Sequence, residues 1–305
     1  GIYASIEKSA LYWPDLKGPL LLGVQGGQIA DADGQEILSV DEVALSLSKA
    51  KLLLGIIEPL SLIITRPSVR IIRSENNDID FGLGTSDTVV SEKVREQADE
   101  QKDLIDGILD LIEDGGPANK QDSPLASLQT LQILDAQVMV EDYKFGASWY
   151  FPGFDITFEK DPKGLKSTLE LDLPDVKDKP SHFQAELLLD REARKAEAVT
   201  TIKNLDLRIF SGKIHGLEIL NEQDILLNAT LDVVLGENFD LRRLGGTVSS
   251  VDGALFFEDL ALVPLPYSDF AVSFDYMAGP QEKLSVDDFA LTAKGVTFRG
   301  QADMS

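Results

Sequence analysis

The chain of 305 residues is 43% hydrophobic, enough for one large β domain or two ordinary ones, and carries 52 acidic against 28 basic side chains, a formal charge of −24. Such a surface repels nucleic-acid phosphates and anionic headgroups over about 8–10 Å in physiological salt, and no basic stripe or zinc-finger spacing offsets it, so nucleic-acid binding is excluded. The absence of cysteine removes disulfides, thiolate nucleophiles and Cys-based metal sites, and no apolar run is long enough to span a bilayer as a helix.

Period-two alternation dominates the pattern, sending successive side chains to opposite faces of a sheet. "GVQGGQ" at 23–28 lacks the spacing of a phosphate cradle, and its glycines predict a bulge or bend. "DADG" at 31–34 predicts a hairpin turn, after which Val43, Leu45 and Leu47 alternate with Ala44, Ser46 and Ser48. "PLSLIITRPSVRII" at 59–72 predicts two short strands about a bend at Arg66-Pro67. The same sentence recurs. Ile64 is followed by Val69 and Ile71, Ile133 by Val138 and Val140, and Leu291 by Val296 and Phe298.

After the polar turn "SENND" at 74–78 the period changes. Between Ser91 and Glu113, Leu104, Ile105, Ile108, Leu111 and Ile112 form a helical stripe, with Ser91 as N-cap and Gly115-Gly116-Pro117 as stop. "ANKQDSP" then predicts a loop. Alternation returns at Phe154, Ile156 and Phe158, ahead of a turn at "KDPKG", 160–164. "DREARKAEA" at 190–198 has no apolar stripe and predicts an exposed turn or short helix. In "DILLNATLDVVL" the residues Ile225, Leu227, Ala229, Leu231, Val233 and Leu235 share one face, and in "FAVSFDYM" Phe270, Val272, Phe274 and Tyr276 do so, before a turn at "AGPQE", 278–282.

Catalytic vocabulary is sparse. His182 and His215 have no partners at metal-ligand spacing, and no Gly-x-Ser-x-Gly elbow is present. Asp31 and Asp33, or Glu75, Asp78 and Asp80, suggest calcium loops, but an Asp-Gly turn and ordinary acidic loops account for them. Asn228-Ala229-Thr230 matches a glycosylation sequon in mid-strand. The expectation is a protein that is not an enzyme, with no cofactor and no metal. Its architecture is mostly antiparallel β with one amphipathic helix. The apolar face of such a sheet either meets another layer in a closed sandwich or barrel core, the commoner outcome, or lines a groove for a hydrophobic ligand.

Three stretches resemble a known family. The first is "PLLLGVQGGQIADADGQEILSVDEVALSLSKAKLLLGIIEPLSLIITRPSVRIIR", in which an Asp-Gly hairpin leads to V-x-L-x-L, a Leu-rich link to Gly55, and Ile64, Pro67, Val69 and Ile71. The second covers residues 122–165 with its Ile133-to-Val138 segment. The third is the tail "LSVDDFALTAKGVTFRGQADMS". They resemble the AsmA-like envelope proteins, in particular the YhdP type; residues 174–224 match least.

That resemblance implies a long, strongly curved antiparallel sheet with a hydrophobic groove, in a periplasmic protein tethered to the inner membrane, with phospholipid as cargo for the outer membrane. On that reading the groove continues from an N-terminal repeat at 1–90, past a helix and loop at 91–116 that closes or gates one end, through 117–305. Candidate lining positions are Val43, Leu45, Leu47, Leu62, Ile64, Val69, Ile71, Ile133, Val138, Val140, Phe154, Ile156, Phe158, Ile225, Leu227, Leu231, Val233, Phe270, Val272 and Phe274. The chain opens on Gly and its tail "GVTFRGQADMS" begins like a strand, so it reads as an excerpt whose membrane anchor lies outside it. The alternative is a structural or adhesive β-sandwich or barrel with a closed core and no lipid.

Overall fold

The computed structural model describes residues 3–13, 18–30, 36–74, 79–83, 127–173, 180–190, 193, 195–211, 218–236, 240–256, 263–279 and 282–304. The chain is mainly β, in a mixed sheet that is not closed into a barrel, and it divides into two compact units, Gly1–Ser167 and Thr168–Ser305.

In the first unit β3 (Leu20–Ala30) is flanked on one side by β1 (Tyr3–Ser5) and β2 (Lys8–Tyr12) and on the other by β4 (Glu36–Leu47), all antiparallel. The short helix α1 (Lys49–Leu52) and a turn lead to β5 (Pro59–Thr65), which returns along β4. Then β6 (Ser68–Arg73) continues in the direction of β5 and pairs with β7 (Ile79–Leu83).

Both β5 and β6 run parallel to β8 (Thr130–Asp142), which returns antiparallel as β9 (Ala147–Asp161). The sheet is therefore mixed at these two pairings, while the other described pairings are antiparallel, as the mostly antiparallel expectation had it. Parallel neighbours need a crossover of a dozen or more residues, and the long interval between β7 and β8 supplies it. The predicted helix at 91–113 falls in that interval, outside the described residues.

The repeated strand-bend-strand sentence has a structural meaning in its first two copies. Ile64 and Val69, like Ile133 and Val138, are an odd number of positions apart, which would place them on opposite faces of a regular strand. Arg66 (φ 51) and Asp135 (φ 53) break that regularity with left-handed backbone, and Gly153 (φ 72) does the same on β9. One irregular residue per strand restores the parity, so the apolar side stays on one face past the kink. The third copy differs: Lys294 (φ 49) and Gly295 (φ 77) form a two-residue hairpin turn. Among the glycines of "GVQGGQ", Gly26 (φ 63) takes left-handed backbone within β3, whose register with β4 is unchanged on either side, and the Glu7 side chain lies over it.

β10 (Gly164–Leu173) crosses the boundary between the units. In the second unit seven antiparallel strands follow in spatial order. They are β11 (Ser181–Asp190), β12 (Lys195–Asp206), β13 (Asp224–Leu235), β14 (Leu241–Ser250), β17 (Asp269–Met277), β18 (Lys283–Ala293) and β19 (Val296–Met304). The short strands β15 (Gly253–Leu255) and β16 (Leu265–Tyr267) pair with each other, and β15 with the start of β13.

The segment expected as a turn or short helix at 190–198 is a turn only up to its middle. Asp190 Oδ1 accepts from the Ala193 N–H at 2.9 Å, and β12 begins at Lys195. A left-handed residue, Asn204 (φ 53), bulges β12, and its N–H donates to Asn228 Oδ1 at 3.1 Å. The sequon asparagine is thus committed to backbone support. Beside the sheet lie the four-residue helix α2 (Arg208–Ser211) and a 3-10 turn, Glu218–Glu222. Buried Asp206 there accepts from the Arg208 guanidinium, whose pKa is raised by that hydrogen bond.

Candidate functional site

Cross-strand partners point to the same face, so the registers show which side chains share a surface. In the first unit one row runs Leu11, Leu22, Leu45, Leu62, Leu131, Phe158 over six strands. The next runs Val24, Val43, Ile64, Ile133, Ile156. Beyond the kink the face continues through Ala136 with Phe154, Val138 with Phe151, and Ile71 with Val140 and Trp149; Val69 is in register with Val138.

The predicted positions in this unit whose side chains are described are brought onto one face, but they do not share one environment; of Val69 only the backbone is described. Leu47 and Val138, only 8% and 5% accessible, are core residues, as are Leu131 and Ala136. Val43, Leu45, Leu62, Ile64, Ile71, Ile133, Val140, Phe154, Ile156 and Phe158 are half-buried. The reverse face mixes apolar side chains such as Ile63 and Met139 with polar pairs. Ser46 and Ser61 hydroxyls meet at 2.6 Å, and Arg70 donates to both oxygens of Glu141 at 2.7 Å.

The second unit has the more open face. One row runs Phe183, Ile202, Ala229, Val248, Val272, Phe289. A second runs Ala185, Thr200, Leu231, Gly246, Phe274, Val286, and a third Leu187, Ala198, Val233, Leu244, Tyr276, Leu284. Every one of these residues is half-buried and none is sealed, and the rows contain no carboxylate and no cation. Phe270 adds to the face beside Leu291 and meets Phe289 edge-on, ring centroids 6.2 Å apart. Ile225 and Leu227 extend it along β13 and are also half-buried.

The reverse side of the same strands reads Thr201, Thr230, Thr247, Ser273, Asp288 and, one row on, Asp232, Gly245, Asp275. Arg243 Nε donates to Asp275 there at 2.7 Å, and that hydrogen bond raises the arginine pKa. One sheet thus has a solvated face and an apolar face left partly open to solvent.

Gly246 sits in the middle row with φ 154, where a Cβ would come within 2.2 Å of the Thr230 carbonyl oxygen. The row therefore has no side chain at that point, with Leu231 and Phe274 on either side. The candidate list omitted several lining residues, among them Phe183, Ile202, Val248, Val286 and Phe289. Phe183 lies in the strand-like "SHFQAELLL" and Val286 and Phe289 in "LSVDDFALTA", whereas no sequence signal singled out Ile202 or Val248; the register alone places all five beside Leu231 and Val272.

His182 takes no part in either face. His182 on β11 has Nδ1 3.0 Å from Asp172 Oδ1, and no group of metal-ligating side chains occurs among the described residues. His215, Asp31, Asp33, Glu75 and Asp78 lie outside the described residues, and only the backbone of Asp80 is described. No described helix is long and apolar enough to cross a membrane. Comparison with family models, curated proteins and solved structures finds no match for the chain.

Proposed function

We propose that the chain binds phospholipid by its acyl chains on these apolar sheet faces. It would move that lipid between the inner and outer membranes of a bacterial envelope, as a periplasmic protein tethered to the inner membrane. The observation that carries the reading is the second unit's face: three predominantly apolar rows, half-buried throughout, with Thr200 and Tyr276 as their polar side chains and no charge among them.

The dimensions agree. Strands about 4.8 Å apart make a row from β11 to β18 about 24 Å long, against roughly 15 Å for a chain filling one leaflet of a ~30 Å hydrocarbon core. Each methylene withdrawn from water contributes about 0.8 kcal/mol, so a continuous apolar path removes most of the cost of carrying a lipid tail through an aqueous space. Rows that run across many strands without a charged interruption suit sliding rather than fixed binding. No covalent step is required. Placement in the envelope rests on the resemblance to AsmA-like proteins.

The rival reading, a closed-core structural or adhesive protein, is favoured by the buried Leu131, Ala136 and Val138 of the first unit. Lipid extraction and mass spectrometry of the purified chain separates the two, with phospholipid near one or more per chain expected. A photo-crosslinking residue at Val272 gives a lipid adduct and one at neighbouring Ser273 gives none. Lipid-free protein, with no adduct at either position after incubation with vesicles, overturns the proposal.

A further inference from the structure

The first unit carries a second apolar surface that neither sheet face includes. Between β4 and β5 the chain leaves the sheet through α1 and a tight turn, and Leu53, Leu54, Ile56 and Ile57 on that turn are 83%, 74%, 49% and 63% exposed. Four large aliphatic side chains in five residues, all facing water, are unusual for a monomeric surface. The turn is well built. The N–H groups of Leu53, Leu54, Gly55 and Ile56 donate to Lys49, Lys51, Leu52 and Lys51 carbonyls at 2.9–3.0 Å, and Gly55 (φ 76) closes the turn in the left-handed region. At its base the Ser48 N–H donates to the Glu58 carbonyl at 2.9 Å.

Two further features point to one occupant. The turn holds Lys49 and Lys51 in a chain of net charge −24, and Glu58 lies 3.8 Å from Lys51 Nζ. Lys49 Nζ also lies 4.5 Å from the ring centre of exposed Trp13, the residue after β2. An apolar wedge ringed by lysine and tryptophan is the arrangement that enters the boundary between headgroups and acyl chains. The aliphatic tips enter the hydrocarbon, the indole sits at the interface and ammonium groups meet phosphate. Backbone groups already hydrogen-bonded within the turn enter that boundary without losing partners to water.

We infer that the turn at 49–57, together with Trp13, docks the chain on a phospholipid bilayer. This goes beyond lipid binding on the sheet faces and does not depend on it.

The absence of cysteine allows a direct test. The chain carrying Leu54→Cys, labelled with a polarity-sensitive dye, is mixed with phosphatidylethanolamine–phosphatidylglycerol vesicles beside a Lys294→Cys control on the β18–β19 turn. Dye at 54 is expected to brighten and shift to the blue, and dye at 294 to stay unchanged. In flotation, the variant Leu53→Ser, Leu54→Ser, Ile56→Ser, Ile57→Ser is expected to partition at least about a hundredfold more weakly than the parent chain. Its circular dichroism melt should match the parent's, since the altered side chains face water.

A parent chain that does not float, or a variant that floats equally well, overturns the inference. So does brightening without vesicles accompanied by a dimer that the variant loses, which would assign the patch to a second copy of the chain. A variant that fails to float but retains extracted phospholipid leaves the sheet-face proposal standing. A parent that floats yet carries no lipid in solution does the reverse.

Discussion

Arg66 and Asp135 stand opposite each other on neighbouring parallel strands, both with left-handed backbone, and the Arg66 N–H donates to the Leu134 carbonyl at 2.8 Å. Arg66 also reaches across to Asp41 on β4, with Nε 2.5 Å from Oδ2, and this contact raises the arginine pKa. The kink is thus shared by adjacent strands at one level of the sheet. Its consequence is continuity of the apolar face, because each strand shifts its side-chain parity once and together with its neighbour.

Residue 135 tests that role. Asp tolerates φ near +53 and Gly adopts it freely, whereas a β-branched residue does not. Asp135→Val is expected to lower stability by about 1–3 kcal/mol, and Asp135→Gly to change it by less than about 1 kcal/mol. Urea unfolding measures both, and equal losses in the two variants would mean that the left-handed backbone is not the constraint.

Neighbouring positions on β13 separate the two faces of the second unit. Leu231→Asp puts a carboxylate between Thr200 and Gly246 in the middle apolar row, while Thr230→Asp adds the same charge to the exposed polar side. The first is expected to reduce retained phospholipid about tenfold or more, the second to leave it unchanged. The control removes net charge as an explanation. Equal retention in both would locate the lipid elsewhere.

Tyr267 gives a pH prediction. Its hydroxyl lies 2.7 Å from Ser250 Oγ in a buried position, and burial raises its pKa above the ordinary 10.0, opposed by the hydrogen bond between the two hydroxyls. A folded-state pKa above the unfolded one favours the protonated phenol in the folded chain. The contribution is complete below pH 10.0 and is lost as pH rises through the folded value. Tyr267→Phe should flatten that alkaline loss while costing about 1–2 kcal/mol at neutral pH, because it strips a buried hydroxyl of its partner. Unfolding curves at neutral and strongly alkaline pH give both quantities, and an unchanged alkaline slope would sink the assignment.

Much of this molecule was legible from side-chain order. Alternation in "DILLNATLDVVL" and "FAVSFDYM" correctly separates the apolar face from the polar one, because side-chain direction in a strand is a local property of period two. Turn chemistry at "KDPKG" was equally local, with the Lys163 N–H donating to Asp161 Oδ1 at 2.8 Å. Among the glycines at 23–28, Gly26 takes left-handed backbone, though the β3–β4 register runs on unchanged past it. Strand direction was not legible. Nothing in "LSLIIT" or "LQILDA" says that they lie side by side and parallel, since that depends on a crossover tens of residues long.

The parity shift at Arg66 and Asp135 shows the same division in one motif. Five-residue spacing from Ile64 to Val69 and from Ile133 to Val138 is visible in the sequence, yet in a regular strand it would split the apolar set between faces.

What the amino-acid order determined, then, is the presence of many amphipathic strands and an acidic exterior, because both follow from the residues themselves. Tertiary structure alone decided which strands are neighbours, that Leu47 and Val138 are sealed while Leu231 and Val272 stay accessible, and that Leu53 and Leu54 face water. Accessibility depends on what other segments of the chain cover, and that is settled by long-range pairing, which no local pattern encodes.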